Sequence, residues 1–318
     1  MPSTITHAYM ANDIYNRLND DLKDKFKNQI KEYITYSQGP DVLFFYPIIP
    51  RINKSINIRK LASIVHRTKV NEFFISLVNN IKKDKDLEKF VFLAGLVTHY
   101  VGDSTCHPFI NYESWLLKNK NKNNKDYHFL IEAYIDNYIL NLYGEDYKKY
   151  KCHKLLKTDK NYKIKEMLDT CFKEVFDKNS MGSNYYKSLY NMKLLFYLVR
   201  YDPYKIKRIG YSIIYYVLPF IRRDIRYFSY NYNLSDKNNE LFLNLDHKEW
   251  FNIRKKEFIY HKSFLELYKD TIDKSIYMIE SLYDYIYNNK ELDLDDFFGN
   301  LSYANGLKIE SSKRHIIS

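Results

Sequence analysis

Glycine occurs 8 times and proline 7 times in 318 residues. Sheet-rich folds use these residues in tight turns, so their scarcity restricts the chain to long helices joined by few breaks. The periodicity agrees. From Ala8 to Tyr36 the apolar residues Ile14, Leu18, Leu22, Phe26 and Ile30 recur every four positions, which predicts a helix ending at QGPD (38–41). An irregular aromatic stretch, FFYPIIPRIN, follows, and helix is expected again from Ile58 to Ile81, closed by the charged connector KKDKD. The next helix starts near Leu87 and runs through FVFLAGLVTHYVGD, with Pro108 helping to end it; it is apolar on most faces and hence central. KNKNKNNK (118–125) reads as a solvated loop, and 126–144 as a helix stopped by Gly144. Further helices are expected over 161–178, 184–201, 203–228, 254–289 and 291–299, with a polar linker at 230–240. No repeat, heptad pattern, glycine-rich phosphate loop or strand alternation is found. The fold class is all-α, a single domain over 1–318.

Composition narrows the function. Apolar residues make up 45% of the chain, which excludes a disordered one. The net charge of +11 favours anionic partners such as phospholipid head groups, nucleic acid or phosphorylated substrates. Three cysteines give no disulfide framework. The first twenty residues lack a basic segment followed by an apolar run, and the longest apolar run, YSIIYYVLPFI (211–221), is too short for the roughly 20 residues of a spanning helix. The expectation is a soluble, cytoplasmic protein.

Five of the nine histidines fall within the first 128 residues. His99 and Asp103 stand four apart on the central helix, so both leave one face. His128 and Glu132 repeat the spacing on another helix. His107 follows the end of the central helix, His7 opens the first, His66 lies within the 58–81 helix, and Asp41 follows the Gly-Pro break. Imidazole nitrogen and carboxylate oxygen together suit zinc and other borderline divalent ions. One such pair is weak evidence, because a lone histidine on an apolar helix is more often a satisfied core residue. Two pairs, one further histidine downstream and three more candidates upstream make a metal site a serious alternative. Cys106 rivals His107 as a ligand, although a small buried residue is the favoured reading. Asp136, one turn beyond Glu132, is either an acceptor for a ligand histidine or a helix-surface aspartate. His153, His247, His261 and His315 read as surface or packing residues.

The order of these residues carries a resemblance. THAYMA (6–11), QGPD (38–41), the histidine of SIVHRTK (63–69), HYVGDSTCHPFI (99–110) and HFLIEAYID (128–136) together resemble the zinc-dependent phospholipase C family over roughly residues 1–140. The resemblance implies an all-helical fold related to single-strand-specific nucleases, with a metal-binding core over 1–145 and a helical C-terminal portion over 146–318. It implies a cluster of two zinc ions, with room for a third. His66, His99 and Asp103 would hold one ion, and His107, His128 and Glu132 a second. His7 would bind a third, bridged by Asp103, and Asp41 would act as general base. Two features depart from the secreted members: no tryptophan precedes Trp115, and the step from Asp103 to His107 is shorter than the turn expected there.

The implied activity is hydrolysis of a phosphoric ester. Clustered dications acidify water and offset the charge of the transition state. A phospholipid is the first substrate reading. It is supported by the basic, aromatic segment 204–232, which would contact a membrane surface unless it is a buried helix with basic ends. The alternatives are a phosphodiesterase or nuclease acting on nucleic acid, and a non-catalytic helical metal-binding protein.

Overall fold

The structure, a computed structural model, describes residues 4–46, 58–121, 127–198 and 242–310. Its described elements are helical except for one two-stranded hairpin. The axis of the fold is helix α6 (Leu87–Asn121), in which every residue from Phe90 to Ser104 is buried. At roughly 1.5–3 kcal/mol for each large apolar side chain removed from water, this one helix supplies a large share of the folding drive. Helices α1 (Thr4–Arg17), α3 (Ile30–Tyr36), α7 (His128–Leu142) and α10 (Phe264–Tyr287) pack against it, while α8 (Tyr162–Phe176) and α9 (Met181–Leu198) form an adjoining layer.

Five expectations are corrected. The first predicted helix is three: α1, α2 (Asp20–Phe26) and α3. Its fourfold apolar spacing persists through the breaks, but Asn19 leaves the helix and its side chain caps the Leu22 N–H instead. The helix expected over 58–81 splits into α4 (Ile58–Val65) and α5 (Val70–Asp84), because Lys69 takes a left-handed conformation. Pro108 does not end α6. The helix passes through it, and the carbonyl of Ser104, four residues earlier, loses the N–H that would have bonded it. The loop reading of 118–125 therefore yields helix as far as Asn121, with 122–125 outside the described residues.

The helix expected over 254–289 starts only at Phe264, where Ser263 and Glu266 form a reciprocal cap. Before it, β1 (Trp250–Asn252) pairs antiparallel with β2 (Lys255–Tyr260). Trp250 is buried there, stacked on Tyr260 and edge-on to Phe109 of α6. The segment 204–232 and His315 lie outside the described residues. Among the described residues, no helix is long and apolar enough to cross a membrane.

Candidate metal centre

Three side chains leave α6 toward the centre: His99, Asp103 and His107. Their spacing of four and four continues one slowly rotating stripe, because the helix does not stop at Pro108. The short step from Asp103 to His107 is therefore a helical turn and not a loop. Helix α7 presents His128 and Glu132, and α1 presents His7. Gly102 makes room for His7, whose ring lies 3.2 Å from where a glycine-to-alanine Cβ would stand. Asp41 sits on the 3₁₀ turn Gly39–Phe45, and His66 just past the end of α4. Gly39 starts that turn at φ +53°, and a Cβ there would stand 2.4 Å from the His99 ring. The turn can only approach His99 as glycine.

All eight side chains expected from the sequence converge. Three groups lie close enough to share an ion: His7, His99 and Asp103; Asp41, His66 and His99; and His107, His128 and Glu132. His99 belongs to two of them. Asp103 faces three imidazoles: its Oδ1 is 3.1 Å from His7 Nε2, and its Oδ2 is 3.2 Å from His99 Nε2 and 3.6 Å from His107 Nδ1. Asp41 Oδ1 lies 3.0 Å from His66 Nε2. Glu132 Oε1 lies 3.1 Å from His128 Nε2 and 3.4 Å from His107 Nε2.

The orientation of these rings is the telling feature. His66 Nδ1 lies 2.6 Å from the Ala62 carbonyl, His99 Nδ1 lies 3.1 Å from the Ser37 carbonyl, and His107 Nδ1 lies 2.7 Å from the Tyr303 carbonyl. A carbonyl only accepts, so each Nδ1 carries the proton. A neutral ring then presents only a lone pair at Nε2, and each of these Nε2 atoms faces a carboxylate. Acceptor meets acceptor unless a second proton or a metal ion stands between them. Among the described residues His7 Nδ1, His99 Nε2 and Asp103 Oδ2 are buried with no hydrogen-bond partner. Such orphaned atoms are costly, at about 1–3 kcal/mol each.

Protons resolve the conflict only in part. The His7 and His99 ring centroids lie 4.4 Å apart with the planes tilted by 33°, and burial together with the neighbouring His99 pushes the His7 pKa down. Burial opposes charge on His107 too, but Asp103 and Glu132 outweigh it and lift its pKa to about 9. Burial raises the Asp41 carboxyl less than His66 and His99 lower it, to about 2. Burial opposes charge on His99 as well, but Asp103 outweighs it and raises its pKa, so protons relieve the conflict at His99 and His107 and are resisted at His7, while the three carboxylates stay ionised. Histidines whose far nitrogens are fixed by backbone carbonyls are what metal ligands need. The donor set fits zinc.

The remaining candidates separate. Cys106 turns away, its sulfur 3.9 Å from the Thr271 hydroxyl on α10, and burial pushes its thiol up to about 12. Asp136 is neither on the surface nor on a ligand. It is buried and accepts from the Thr6 N–H at 2.9 Å and the Thr6 hydroxyl at 2.5 Å, fixing the turn that carries His7. Sequence reasoning missed Tyr303. Its ring lies 5.2 Å from that of His66 and 5.8 Å from that of His99, and its carbonyl receives His107. The only signal was an isolated tyrosine in the turn-rich run NLSYANG after the last helix.

The family model described as zinc dependent phospholipase C matches residues 6–186. No curated protein and no solved structure gives a match.

Proposed function

The chain belongs to the zinc-dependent phospholipase C family, and from that membership we propose that it hydrolyses the phosphodiester of a phospholipid, releasing diacylglycerol and a phosphorylated head group. The observation that carries the proposal is the set of imidazoles whose Nδ1 is bonded to a backbone carbonyl while Nε2 faces a carboxylate. His107, His128 and Glu132 would hold one zinc ion. His66 and His99, beside Asp41, would hold another, and His7 and Asp103 would meet at a third. When bound, zinc supplies Lewis acidity, which brings the pKa of water toward neutrality and offsets negative charge on the phosphate.

The chain's own residues do the rest. Asp41 is ionised and lies 3.0 Å from His66 Nε2, beside the metal group, so it can take the proton of an attacking water. The oxygen of that water forms the new bond to phosphorus, the bond to the glycerol oxygen breaks, and that oxygen takes up a proton from solvent. The Nδ1 bonds to Ala62, Ser37 and Tyr303 keep the ligand rings in register. The net charge of +11 favours encounter with an anionic lipid surface.

The test joins elemental analysis of protein purified without added metal to phospholipid hydrolysis on vesicles, followed by diacylglycerol release. Two or three zinc ions per chain with zinc-dependent release are expected. Protein that takes up no zinc, or loaded protein that cleaves no phospholipid, would overturn the proposal.

A further inference from the structure

We propose that Tyr303 is a positioning residue that ties two of the metal groups together, and that the strap carrying it, residues 300–309, is a working wall of the metal centre. The inference rests on the reading of that centre as a zinc site. The strap lies outside the matched residues 6–186.

Tyr303 reaches both groups with its own backbone. Its N–H donates to the His66 carbonyl at 3.1 Å, and the Ser302 hydroxyl donates to the same carbonyl at 3.3 Å. His66 follows the last residue of α4, where carbonyls lose their helical partners, so the strap caps that end. The Tyr303 carbonyl in turn accepts from His107 Nδ1 at 2.7 Å. One residue thus fixes a histidine of the Asp41–His66–His99 group and sets the tautomer of the histidine in the His107–His128–Glu132 group. Its buried ring fills the space against His66, His99 and Tyr100.

The strap is built to hold that residue. It folds back on itself through Ser302 N–H to the Leu307 carbonyl and Ile309 N–H to the Asn300 carbonyl. Asn300 and Asn71 exchange backbone-to-side-chain bonds at 2.8 and 3.3 Å. Asn111 donates to the Ala304 carbonyl at 2.7 Å, and Asn252 to the Asn305 carbonyl at 2.9 Å. Gly306, at φ +66°, lies against the Ser104 carbonyl, to which Pro108 has no N–H to donate; a Cβ there would stand 2.3 Å from that oxygen and 3.0 Å from the Pro108 ring. The proline in α6 and the glycine in the strap therefore meet beside His107, and no other residue type fits the glycine position.

Gly306→Ala lifts the strap without touching a ligand. Zinc dissociation constants would be measured by competition with a chromophoric chelator, for wild type, Gly306→Ala, Asn111→Ala and Tyr303→Ala, with Leu168→Ala on α8 as a destabilised control remote from the strap. A tenfold to hundredfold loss of affinity at both zinc-binding steps is expected for Gly306→Ala and Tyr303→Ala, and a smaller loss at both for Asn111→Ala. Leu168→Ala is expected to lower Tm with zinc affinity unchanged. Affinity unchanged in the strap variants, weakening of one step only, or equal weakening in the control would overturn the inference. Should Gly306→Ala fail to fold, Asn111→Ala, which removes one bond at a half-buried position, decides. Wild type that binds no zinc would instead overturn the zinc reading itself.

Discussion

Replacing Asp103 by asparagine keeps shape and removes charge at the point where three imidazoles meet. In metal-free protein the change is tolerable. The new amide N–H can donate to His99 Nε2, an orphaned acceptor whose Nδ1 proton is committed to Ser37. Satisfying it offsets about 1–3 kcal/mol, but at neutral pH the variant also loses the charge that Asp103 sets beside His107, so only above about pH 9, where His107 is neutral, should metal-free Asp103→Asn melt at or above the wild-type temperature. With zinc the order reverses. At zinc a thousandfold above Kd the wild type gains about 4.1 kcal/mol, whereas a variant bound a hundredfold more weakly gains about 1.4 kcal/mol. Unfolding entropy of about 2.1 cal/mol/K per residue over 318 residues converts these gains to Tm rises of about 6 °C and about 2 °C. Differential scanning calorimetry with and without zinc reads both effects. A variant that keeps the full zinc-induced rise would remove Asp103 from the metal centre. A metal-free variant that melts several degrees lower above about pH 9 would refute the acceptor-against-acceptor account.

Asp41→Asn should retain zinc at the His107 group while kcat on phospholipid falls about 10²–10⁴-fold, the usual worth of a general base; unchanged turnover at full zinc content would dismiss Asp41 as the base. Gly39→Ala should lower stability by about 1–3 kcal/mol from backbone strain alone and also weaken zinc binding, because the new Cβ displaces His99; urea unfolding and chelator competition read the two separately. Asp136→Asn tests burial. Burial lifts the Asp136 pKa from 3.8 to about 8 against the opposing Thr6 bonds, so folded protein binds the extra proton across that interval and loses stability as pH rises through it. The Tm of metal-free Asp136→Asn minus that of wild type should therefore climb from about pH 4 to about pH 8 and level off above; a flat difference would mean that the Thr6 donors hold the carboxylate ionised throughout.

Much of the candidate centre was legible in the residues because its chemistry resides in side chains. Imidazoles and carboxylates four apart on a helix announce a shared face, and the three groups are made of the eight residues that stand out in the sequence. Helix ends were less legible. The spacing from Ile14 to Ile30 is periodic whether the chain is one helix or three, because each short helix docks the same stripe against the same core. Pro108 reads as a stop by its missing N–H, yet the cost falls on one carbonyl, and a helix buried along most of its length can bear it. The hairpin at 250–260 escaped because β2 is exposed along most of its length and shows no alternation of apolar and polar residues.

What could not be read at all is the layer behind the ligands, and the reason is physical. The groups that fix the rings of His66, His99 and His107 are the backbone carbonyls of Ala62, Ser37 and Tyr303. Every residue type has a carbonyl, so no sequence pattern marks the ones that count. What does leave a trace is the close approach those carbonyls require. Gly95 lets α3 press onto α6 beside Ser37, with a virtual Cβ only 2.9 Å from the Ser37 nitrogen, and Gly306 lets the strap press onto α6 beside Tyr303. In a chain with 8 glycines, one for each of two of these ring-orienting contacts is a sizeable share. The same scarcity that restricts the fold to helices thus leaves glycine where backbone must come close enough to aim an imidazole. The third contact needs none, because Ala62 lies one helical turn before His66 in the same chain segment.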